Sequence, residues 1–578
     1  MKIKRLLSVY IGITISASVV QAQSDLVTFT GLGRVYINSN ALRGAGVEGD
    51  TTSKKRATNG YTLFDLGINV SPNENLKASV ILRARNNFGG FYGDGSSLNI
   101  RQFRVEGLLG KILKYQIGDV DLGLTPYTLY NFEEIYHDYE SDLFKIRRDI
   151  VAYENFNFGN RWRLQGLDAK TTLKFANVID KLRLNAFGTR IKRANYATFE
   201  PDRLLYGGRA QVVQSKYFEV GGNVTGISDV AGTVRDSVMQ FSNLVYTGDF
   251  KASYELEKVE FNVFGELGAS NTSFKNEKQK YSASQDDYFY DGGARVKIKP
   301  AAWTVGVEAS YREVGAQFLS PGAQTRRIND YAQSALFDKY NNLQYDRRQT
   351  LYDRYTNEGL YNQSIRAGLM NFLPEYNNIT PYGTATPNRK GVTAKVSLKD
   401  EEKIIQIDGT YEMVTEVIGE GTPDLRDFTG IRGGLQLAAN KLFKFKRSLV
   451  LTAGGRTEKT SRAGMLGVDL NSTLIDYGIT VEVFKSFDLI GGYKALTAKG
   501  NEYLTYRDPY TGAPTGFNDY HVNSTENIVG AGARYRFNNR SFFTVNYQWL
   551  TYENKIVEGD NSRNYNLDEL FFNYTLIF

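Results

Sequence analysis

The sequence predicts an all-β fold: a single antiparallel β-barrel of about 22 strands, within roughly 20 to 24, that crosses a membrane. Three observations predict it. Apolar and polar residues alternate along almost the whole chain. The alternating segments are joined by connections that are short and long in turn. The final segment, 570–578, is a strand-like run with one apolar face.

The alternation has a period of two, which is the period of a β-strand whose two faces differ. It is clearest in 76–85, 258–267, 302–312 and 540–549. In 540–549 one face carries Phe543, Val545, Tyr547 and Trp549, and the other carries Thr544, Asn546 and Gln548. A soluble β-sandwich also alternates, so the prediction depends on the number of such segments and on their connections.

Strands are predicted wherever this pattern persists between turn-forming residues. Most of these segments are near the length needed to cross a bilayer at a tilt. The predicted strands are 26–39, 60–71, 76–88, 97–109, 112–120, 161–176, 181–193, 203–213, 216–228, 241–256, 258–271, 286–298, 302–314, 389–399, 402–417, 427–440, 446–459, 472–485, 486–498, 524–537, 540–554 and 565–578.

The connections between the predicted strands fall into two groups. Short turns follow every second strand, as at 72–75, 110–111, 300–301 and 538–539. The connections after the other strands are mostly longer, and the long ones are 40–59, 121–160, 272–285, 315–388, 460–471 and 499–523. This regularity places the short turns and both chain termini at one end of the barrel, and the long loops at the other end.

Residues 1–22 are predicted to be a cleaved signal peptide. Lys2, Lys4 and Arg5 form a positive start, and a mostly apolar run, 6–20, follows them. The run is short for a transmembrane helix and is followed at once by polar sequence; an uncleaved anchor is the alternative. Residues 23–578 are then expected to form one barrel domain, since no linker or low-complexity tract divides them.

Composition narrows the chemistry that is expected. The chain has no Cys, which excludes disulfides and thiolate metal sites. Its formal charge is +7, but no basic run occurs, so nucleic acid is not expected as a partner. The only histidines are His137 and His521, which are too few for a metal cluster and are interpreted as polar loop residues. No metal, no cofactor and no enzymatic activity are predicted.

The end of the chain indicates a cellular location. Tyr574, Leu576 and Phe578 lie on the apolar face of the last predicted strand. This face resembles the assembly signal of bacterial outer-membrane β-barrels, and most of the chain resembles the porin-like barrels of Gram-negative outer membranes. The resemblance implies outer-membrane lipid and the barrel-assembly machinery as partners, periplasmic short turns, and long loops that are extracellular or fold inward. It specifies no solute.

The predicted strand number is that of the large TonB-dependent transporters, whose lumen is plugged. Strand-like sequence, 26–30, begins directly after the predicted signal peptide. An N-terminal plug domain and energised uptake are therefore not expected. Without a plug, a barrel of this size would be a wide hole unless its own loops or another protein filled it.

Two long loops are candidates for a constriction, a plug or a cap. Loop 121–160 has an acidic arm with Glu133 and Glu134 and a basic arm with Arg147 and Arg148. These arms either pair, face the lumen as a charged constriction, or belong to a solvated extracellular loop.

Loop 315–388 is rich in Tyr and Phe, unlike disordered segments, so it is expected to fold either inward or outward. Asp330 is expected to cap a short helix there. The aromatic and amide side chains of this loop are candidates to bind sugar or peptide. The alternative is packing of the loop on itself.

The alternation also assigns charged side chains to the inner face of the barrel. Basic residues outnumber acidic ones there, which predicts a weak preference for anionic solutes unless the charges pair across strands. The candidate lumen-lining residues are Arg83, Arg85, Arg104, Arg183, Glu260, Glu266, Arg295, Glu308, Arg312, Arg534 and Arg536.

The main functional hypothesis is an outer-membrane channel for the passive passage of small hydrophilic, preferably anionic, solutes. The alternative is a non-conducting barrel that serves, with an envelope protein partner, as a subunit or scaffold for secretion, assembly or surface display. A continuous polar path would favour the channel, and a sealed lumen would favour the scaffold.

Overall fold

The computed structural model describes residues 26–44, 56–89, 95–134, 137, 139–156, 161–233, 238–276, 278–331, 335–338, 344–346, 348–507, 514–561 and 563–578. The predicted signal peptide, 1–22, lies outside the described residues. A single sheet of 22 antiparallel strands closes on itself as a barrel. The predicted fold class is therefore confirmed.

The strands follow one another around the barrel in chain order, each paired with its predecessor. They are β1 (Val27–Arg43), β2 (Arg56–Asn73), β3 (Leu76–Asn87), β4 (Ser96–Leu109), β5 (Leu113–Val120), β6 (Leu164–Lys174), β7 (Lys181–Lys192), β8 (Arg203–Val213), β9 (Phe218–Asp229), β10 (Gln240–Leu256), β11 (Val259–Asn276), β12 (Tyr281–Ile298), β13 (Trp303–Val314), β16 (Arg389–Asp400), β17 (Ile405–Thr415), β18 (Asp427–Ala438), β19 (Leu449–Arg462), β20 (Val468–Phe484), β21 (Phe487–Arg507), β22 (Pro514–Arg536), β23 (Phe542–Asn554) and β24 (Tyr565–Ile577). Two short strands, β14 (Ala335–Asp338) and β15 (Gln344–Asp346), pair only with each other.

Each predicted strand overlaps one observed strand, and the largest differences lie at the long-loop end. The pairing of β21 with β22, for example, continues until Arg507 lies opposite Pro514. The predicted loops 272–285, 460–471 and 499–523 are mostly strand. The alternation ended these strands too early, because beyond the lipid the two faces of a hairpin no longer have to differ in polarity.

The wall has an apolar outer face. On β13, Val307 and Tyr311 are 49% and 41% exposed, whereas Glu308 and Arg312 on the opposite face are each only 7% exposed. An exposed apolar row opposite a polar one is the arrangement of a transmembrane barrel, in which the apolar row faces lipid.

The barrel closes where β1 pairs with β24, in an antiparallel register that covers 32–43 of β1. Beyond this register, Gly31 and Phe578 exchange two backbone hydrogen bonds, of 2.9 and 3.1 Å. The Phe578 ring lies over Gly31, where a Cβ atom would come within 2.4 Å of it, and stacks on Phe64. Closure leaves no unpaired strand edge in contact with lipid.

Helices are short and few. They are α1 (Asp142–Asn155), α2 (Pro321–Gln324), α3 (Leu351–Thr356) and α4 (Ala439–Leu442), with 3-10 turns at Glu358–Leu360 and Gly383–Ala385. In the part of the chain that the structure describes, no helix is both long and apolar enough to cross a membrane. Helix α4 lies between β18 and β19, and the other helices belong to two long connections.

Candidate functional site

Two long connections occupy the inside of the barrel. The first inward segment, 121–163, joins β5 to β6, and the second inward segment, 315–388, joins β13 to β16. Both leave the wall at the long-loop end. Most of 314–330 and of 349–361 is buried. The chemistry of the lumen is therefore set by these segments together with the inner face of the wall.

Helix α1 is the main element of the first inward segment. Ser141 caps it by accepting a hydrogen bond from the Leu143 backbone N–H, and its hydroxyl donates to the Gly491 carbonyl at 3.2 Å. Glycine on the wall permits this approach, because a Cβ atom on Gly492 would lie 2.7 Å from the Ser141 hydroxyl oxygen. The start of α1 is thereby fixed against β21.

The contact between the inward segments and the wall is largely apolar. In one core, side chains such as Phe144 of α1 and Leu351 of α3 pack on inner-face residues of the wall. The wall contributes to it Leu32, Tyr36, Leu63, Leu474, Ile490, Leu496, Ile528, Leu550, Leu567 and Phe571. A second core forms on β5 to β11 around Phe156 and Trp162. The alternation of apolar and polar residues does not reveal these wall residues, because a strand that is apolar on both its inner and its outer face shows no such alternation.

Polar contacts also fix α3 to the wall. The Leu351 backbone N–H donates to Glu526 at 2.7 Å, and the Tyr376 hydroxyl donates to the other carboxylate oxygen of Glu526 at 2.6 Å. The Tyr355 hydroxyl donates to Gln548 at 2.8 Å. Glu526 and Gln548 lie on the inner faces of β22 and β23, so the second inward segment is bound to this side of the barrel.

Four buried charges join the two inward segments to each other. Glu134 of the first segment pairs with Arg326 and Arg354 of the second, and Asp330 pairs with the same two arginines. Burial raises the pKa of Glu134, but the two guanidinium groups outweigh burial and hold that pKa below its ordinary value. The prediction that Asp330 caps a helix is wrong, since the chain forms β14 at 335–338.

Helix α1 also spans the closing seam of the barrel from the inside. Glu154, near its end, accepts hydrogen bonds from Arg34 on β1 and from the Tyr61 hydroxyl on β2. Arg147, earlier in the helix, lies 3.7 Å from Glu569 on β24. One helix therefore contacts both strands of the seam.

Two inner-wall carboxylates are each shared by two cations. Asp65 binds Arg83 at 2.8 Å and Arg101 at 2.7 Å. Glu308 binds Arg295 on β12 and Lys395 on β16, the latter at 2.9 Å. The side chains of Arg295 and Lys395 are 44% and 47% exposed. Each group of three therefore carries one positive charge in excess.

The other predicted lumen residues have the following partners. Among the basic ones, Arg85 lies near Glu154 and Glu358, Arg104 near Glu106, and Arg312 near Glu412. Arg534 binds Asp142 and Asp488, and Arg536 binds Glu482 and Asp488. Exposed Arg183 donates to Gln211, Glu260 lies 3.8 Å from Lys297, and Glu266 accepts from Thr125 of the first inward segment.

The charged residues predicted for a constriction mainly bind partners outside their own loop. Glu133 lies 3.0 Å from Arg327 of the second inward segment, as Glu134 lies near Arg326 and Arg354. Arg147 binds the wall. Arg148 lies 3.2 Å from Glu140 within the first inward segment.

The residues of the predicted assembly signal lie on the outer face of β24. Leu576 and Phe578 are exposed. The Tyr574 ring packs edge-to-face against the Phe537 ring, with the ring centroids 5.7 Å apart. These three side chains therefore lie on the face that carries the other exposed apolar residues of the wall.

A polar crevice of about 1210 Å³ lies between β1–β3 and the inward segments. We call it the asparagine crevice, because Asn38, Asn40, Asn59, Asn87 and Asn357 line it. Asn59 and Asn87 are exposed near the long-loop ends of β2 and β3, so the crevice opens toward that end of the barrel.

Part of the asparagine crevice is formed by a layered stack of side chains. Arg85 lies over the Tyr61 ring at 4.0 Å, Tyr61 stacks on Tyr36 at 4.8 Å, and Arg147 lies over Tyr36 at 4.3 Å. Cation–π contacts of this kind hold long arginine side chains in one orientation.

A second cavity, of about 680 Å³, lies between the second inward segment and the ends of β16 and β21. Within it Arg426 binds three carboxylates, those of Glu416, Glu420 and Glu502. Arg507, 3.7 Å from Glu420, supplies a second cation, so these five side chains together carry one negative charge in excess.

The two histidines lie apart from each other. Buried His137 has its Nε2 atom 3.3 Å from Asp476, and exposed His521 lies 3.0 Å from Asp519. His521 belongs to β22 and not to a loop, because the strand extends beyond its predicted start. Within the described ranges, no group of three or more His, Cys, Asp or Glu side chains is arranged to hold a metal ion.

No family model matches the chain, and no curated protein matches it. Similar solved structures include Wzi, an Escherichia coli outer-membrane protein involved in group 1 capsule assembly, at 14% identity and a TM-score of 0.33 over 77% of this chain and 83% of that chain. They also include OccK5 of Pseudomonas aeruginosa, at 8% identity and a TM-score of 0.32 over 95% of this chain and 98% of that one. The FrpB iron transporter of Neisseria meningitidis follows at 10% identity and a TM-score of 0.43 over 94% of this chain and 81% of that one. At such identities and TM-scores the similarities carry no argument about function.

Proposed function

We propose that this protein is an outer-membrane channel for the passive passage of small hydrophilic solutes, with a preference for anions, and that the two inward segments form its constriction. A barrel of 22 strands is wide enough to enclose a large lumen, so internal segments limit what passes. The inner face of the wall is charged, as an aqueous path requires.

The observation that carries the anion preference is the sharing of Glu308 by two half-exposed cations, Arg295 and Lys395. Glu308 neutralises one of its two partners and leaves one positive charge exposed on the inner wall. In a narrow aqueous space bounded by low-dielectric walls, such charges raise the local concentration of anions.

Planar-bilayer recordings of the purified protein under a KCl gradient test this proposal. The expected reversal potential is that of chloride preference. The variant Lys395→Gln should shift it toward potassium, since it removes an exposed lumen charge and leaves the Arg295–Glu308 pair intact. Lys555→Gln is the matched control, because Lys555 is an exposed lysine beyond the end of β23. Cation preference of the unmodified protein would overturn the proposal.

A second candidate function is favoured by the apolar packing of the inward segments on the wall. If this packing closes the lumen permanently, the barrel conducts no ions and serves as a scaffold or subunit of an envelope complex. Purification from mild detergent distinguishes the two functions. A stoichiometric envelope protein partner together with no conductance would favour the scaffold.

The proposal includes the outer membrane of a Gram-negative bacterium as the location, after cleavage of residues 1–22. Outer-membrane lipid and the barrel-assembly machinery are the partners proposed for the outer face and for Tyr574, Leu576 and Phe578. N-terminal sequencing of the protein isolated from outer membranes should begin at Gln23. Recovery of the uncleaved chain from the inner membrane would contradict the location.

A further inference from the structure

We infer that the asparagine crevice binds an uncharged, hydroxyl-rich solute of one or two sugar rings. The inference rests on the proposed function and adds to it a neutral solute, bound at the long-loop end where the charges are balanced, beside the anions that the exposed lumen charges favour. It comes from the chemistry of the side chains that line the crevice.

The amides of the crevice provide both donors and acceptors. Each asparagine side chain has two N–H donors and one carbonyl acceptor, and a sugar hydroxyl both donates and accepts. Asn59 makes no side-chain hydrogen bond with any other described residue, and Asn38 Oδ1 is buried without a hydrogen-bond partner among them. Asn87 uses its carbonyl oxygen for Arg85 at 3.2 Å, and no bond of its amide nitrogen is found within the described residues.

Charge balance favours an uncharged solute at this place. Arg85 is compensated by Glu358 at 3.3 Å, and Arg147 by Glu569 at 3.7 Å. Glu154 is compensated by Arg34. A negatively charged solute would have to displace one of these carboxylates, whereas a neutral polyol can bind to the amides without disturbing the ion pairs.

The shape of the crevice suits a ring-sized solute. Of the 1210 Å³ that includes its open mouth, the cavity itself takes up about 440 Å³, and ligand pockets generally measure about 300–1,000 Å³. The stacked Arg85, Tyr61, Tyr36 and Arg147 side chains keep one side of the crevice preformed.

Calorimetric titration of the full-length protein in detergent tests the inference, with glucose, maltose and sucrose as neutral probes and gluconate as the charged probe. At least one neutral sugar should bind. The double variant Asn59→Ala with Asn87→Ala should weaken this binding about tenfold, since two amides are lost from exposed positions where folding does not depend on them.

The matched control is the double variant Thr58→Ala with Asn86→Ala. These residues precede Asn59 and Asn87 on the same two strands and point to the opposite face. The control should bind the sugar as the unmodified protein does. Absence of binding by all three neutral sugars, tighter binding of gluconate than of glucose, or equal losses in both double variants would overturn the inference.

The same preparation separates this inference from the proposed function. Anion-selective current with no sugar binding would refute the crevice as a sugar site and leave the channel intact. Sugar binding without any current would support the binding site and refute the channel.

Discussion

Glu134 is the residue on which the contact between the two inward segments depends most directly. Its side chain is 7% exposed and lies between Arg326 and Arg354, which are 1% and 2% exposed. Removal of one partner from a buried ion pair leaves the other charge uncompensated, which costs about 3–5 kcal/mol. The two segments are therefore expected to separate when this carboxylate is lost.

The variant Glu134→Ala should increase single-channel conductance and should speed proteolytic cleavage within 315–388. Glu133→Ala is the control at the neighbouring position. Glu133 is about one-third exposed and pairs with Arg327, so water screens its charge and its loss should cost less than the loss of Glu134. Equal responses of the two variants would show that the buried cluster does not join the segments.

Glu140 gives the docking of the first inward segment a dependence on pH. Burial raises the pKa of this carboxyl group, but Lys494 and Arg148 outweigh burial and hold the pKa below its ordinary value of 4.5. A lowered pKa in the docked state means that the ionised carboxylate stabilises docking above pH 4.5. This stabilisation is lost as the pH falls through the lowered pKa.

Conductance should therefore rise as the pH is lowered from neutrality to below 4.5. The variant Glu140→Gln should show a higher conductance at neutral pH and a weaker dependence on pH, because it lacks this titrating group. Recordings at matched ionic strength make the comparison. An unchanged pH profile in the variant would assign the dependence to another group.

At the scale of the element, the seam between β1 and β24 depends on close packing at Gly31. A Cβ atom there would lie 2.4 Å from the Phe578 ring and 2.7 Å from the Asp65 carbonyl oxygen. Gly33 lies on the same face of the same strand, and the nearest atom to a Cβ there is 4.0 Å away. The two glycines therefore differ mainly in the space that is available for a Cβ atom.

The variant Gly31→Ala should destabilise the barrel by about 1–3 kcal/mol, the usual cost of overpacking, whereas Gly33→Ala should have little effect. The measurement is gel electrophoresis of unboiled samples, in which a folded barrel migrates differently from the boiled, unfolded chain. The fraction of folded barrel is compared between the two variants. Equal stability of the two variants would show that the Phe578 ring moves aside at no cost.

The strands of this barrel were predictable because lipid forces their two faces to differ. The prediction stopped short on β20 to β22, where the strands extend beyond the membrane and this requirement ends. It also failed to detect wall residues such as Leu474 and Leu550, because they place apolar side chains on the inner face. A pattern of alternation records the difference between two faces and nothing about what each face contacts.

For the candidate site, the sequence predicts the types of residue involved but not which residues form ion pairs with one another. Glu134 and Arg147 were identified as charged loop residues, but their partners Arg354 and Glu569 are distant in the chain. No sequence pattern indicates the asparagine crevice, since Asn38 and Asn59 come together only through the register of β1 with β2. Such sites require the three-dimensional fold.

At the scale of the whole molecule, the wall and the second inward segment are separable. The Asn388 backbone N–H donates to the Gly315 carbonyl at 3.1 Å, so the two ends of this segment lie side by side. The barrel sheet is closed by its own strand pairing, without a strand from this segment.

Replacement of 318–386 by a short Gly-Ser linker should therefore leave a folded barrel with a several-fold larger single-channel conductance. Folding of the deletion variant is checked by the change in its electrophoretic mobility on boiling. A folded deletion variant whose conductance equals that of the unmodified protein would show that the second inward segment does not limit passage.

The position of α1 across the seam has a consequence for assembly. Glu154 reaches β1 and β2, and Arg147 reaches β24, so the helix connects the two ends of the sheet that meet last. Docked α1 therefore holds the first and last strands together through side-chain contacts, in addition to their backbone ladder. We expect these contacts to favour closure of the sheet, so loss of the first inward segment should slow membrane insertion of the barrel.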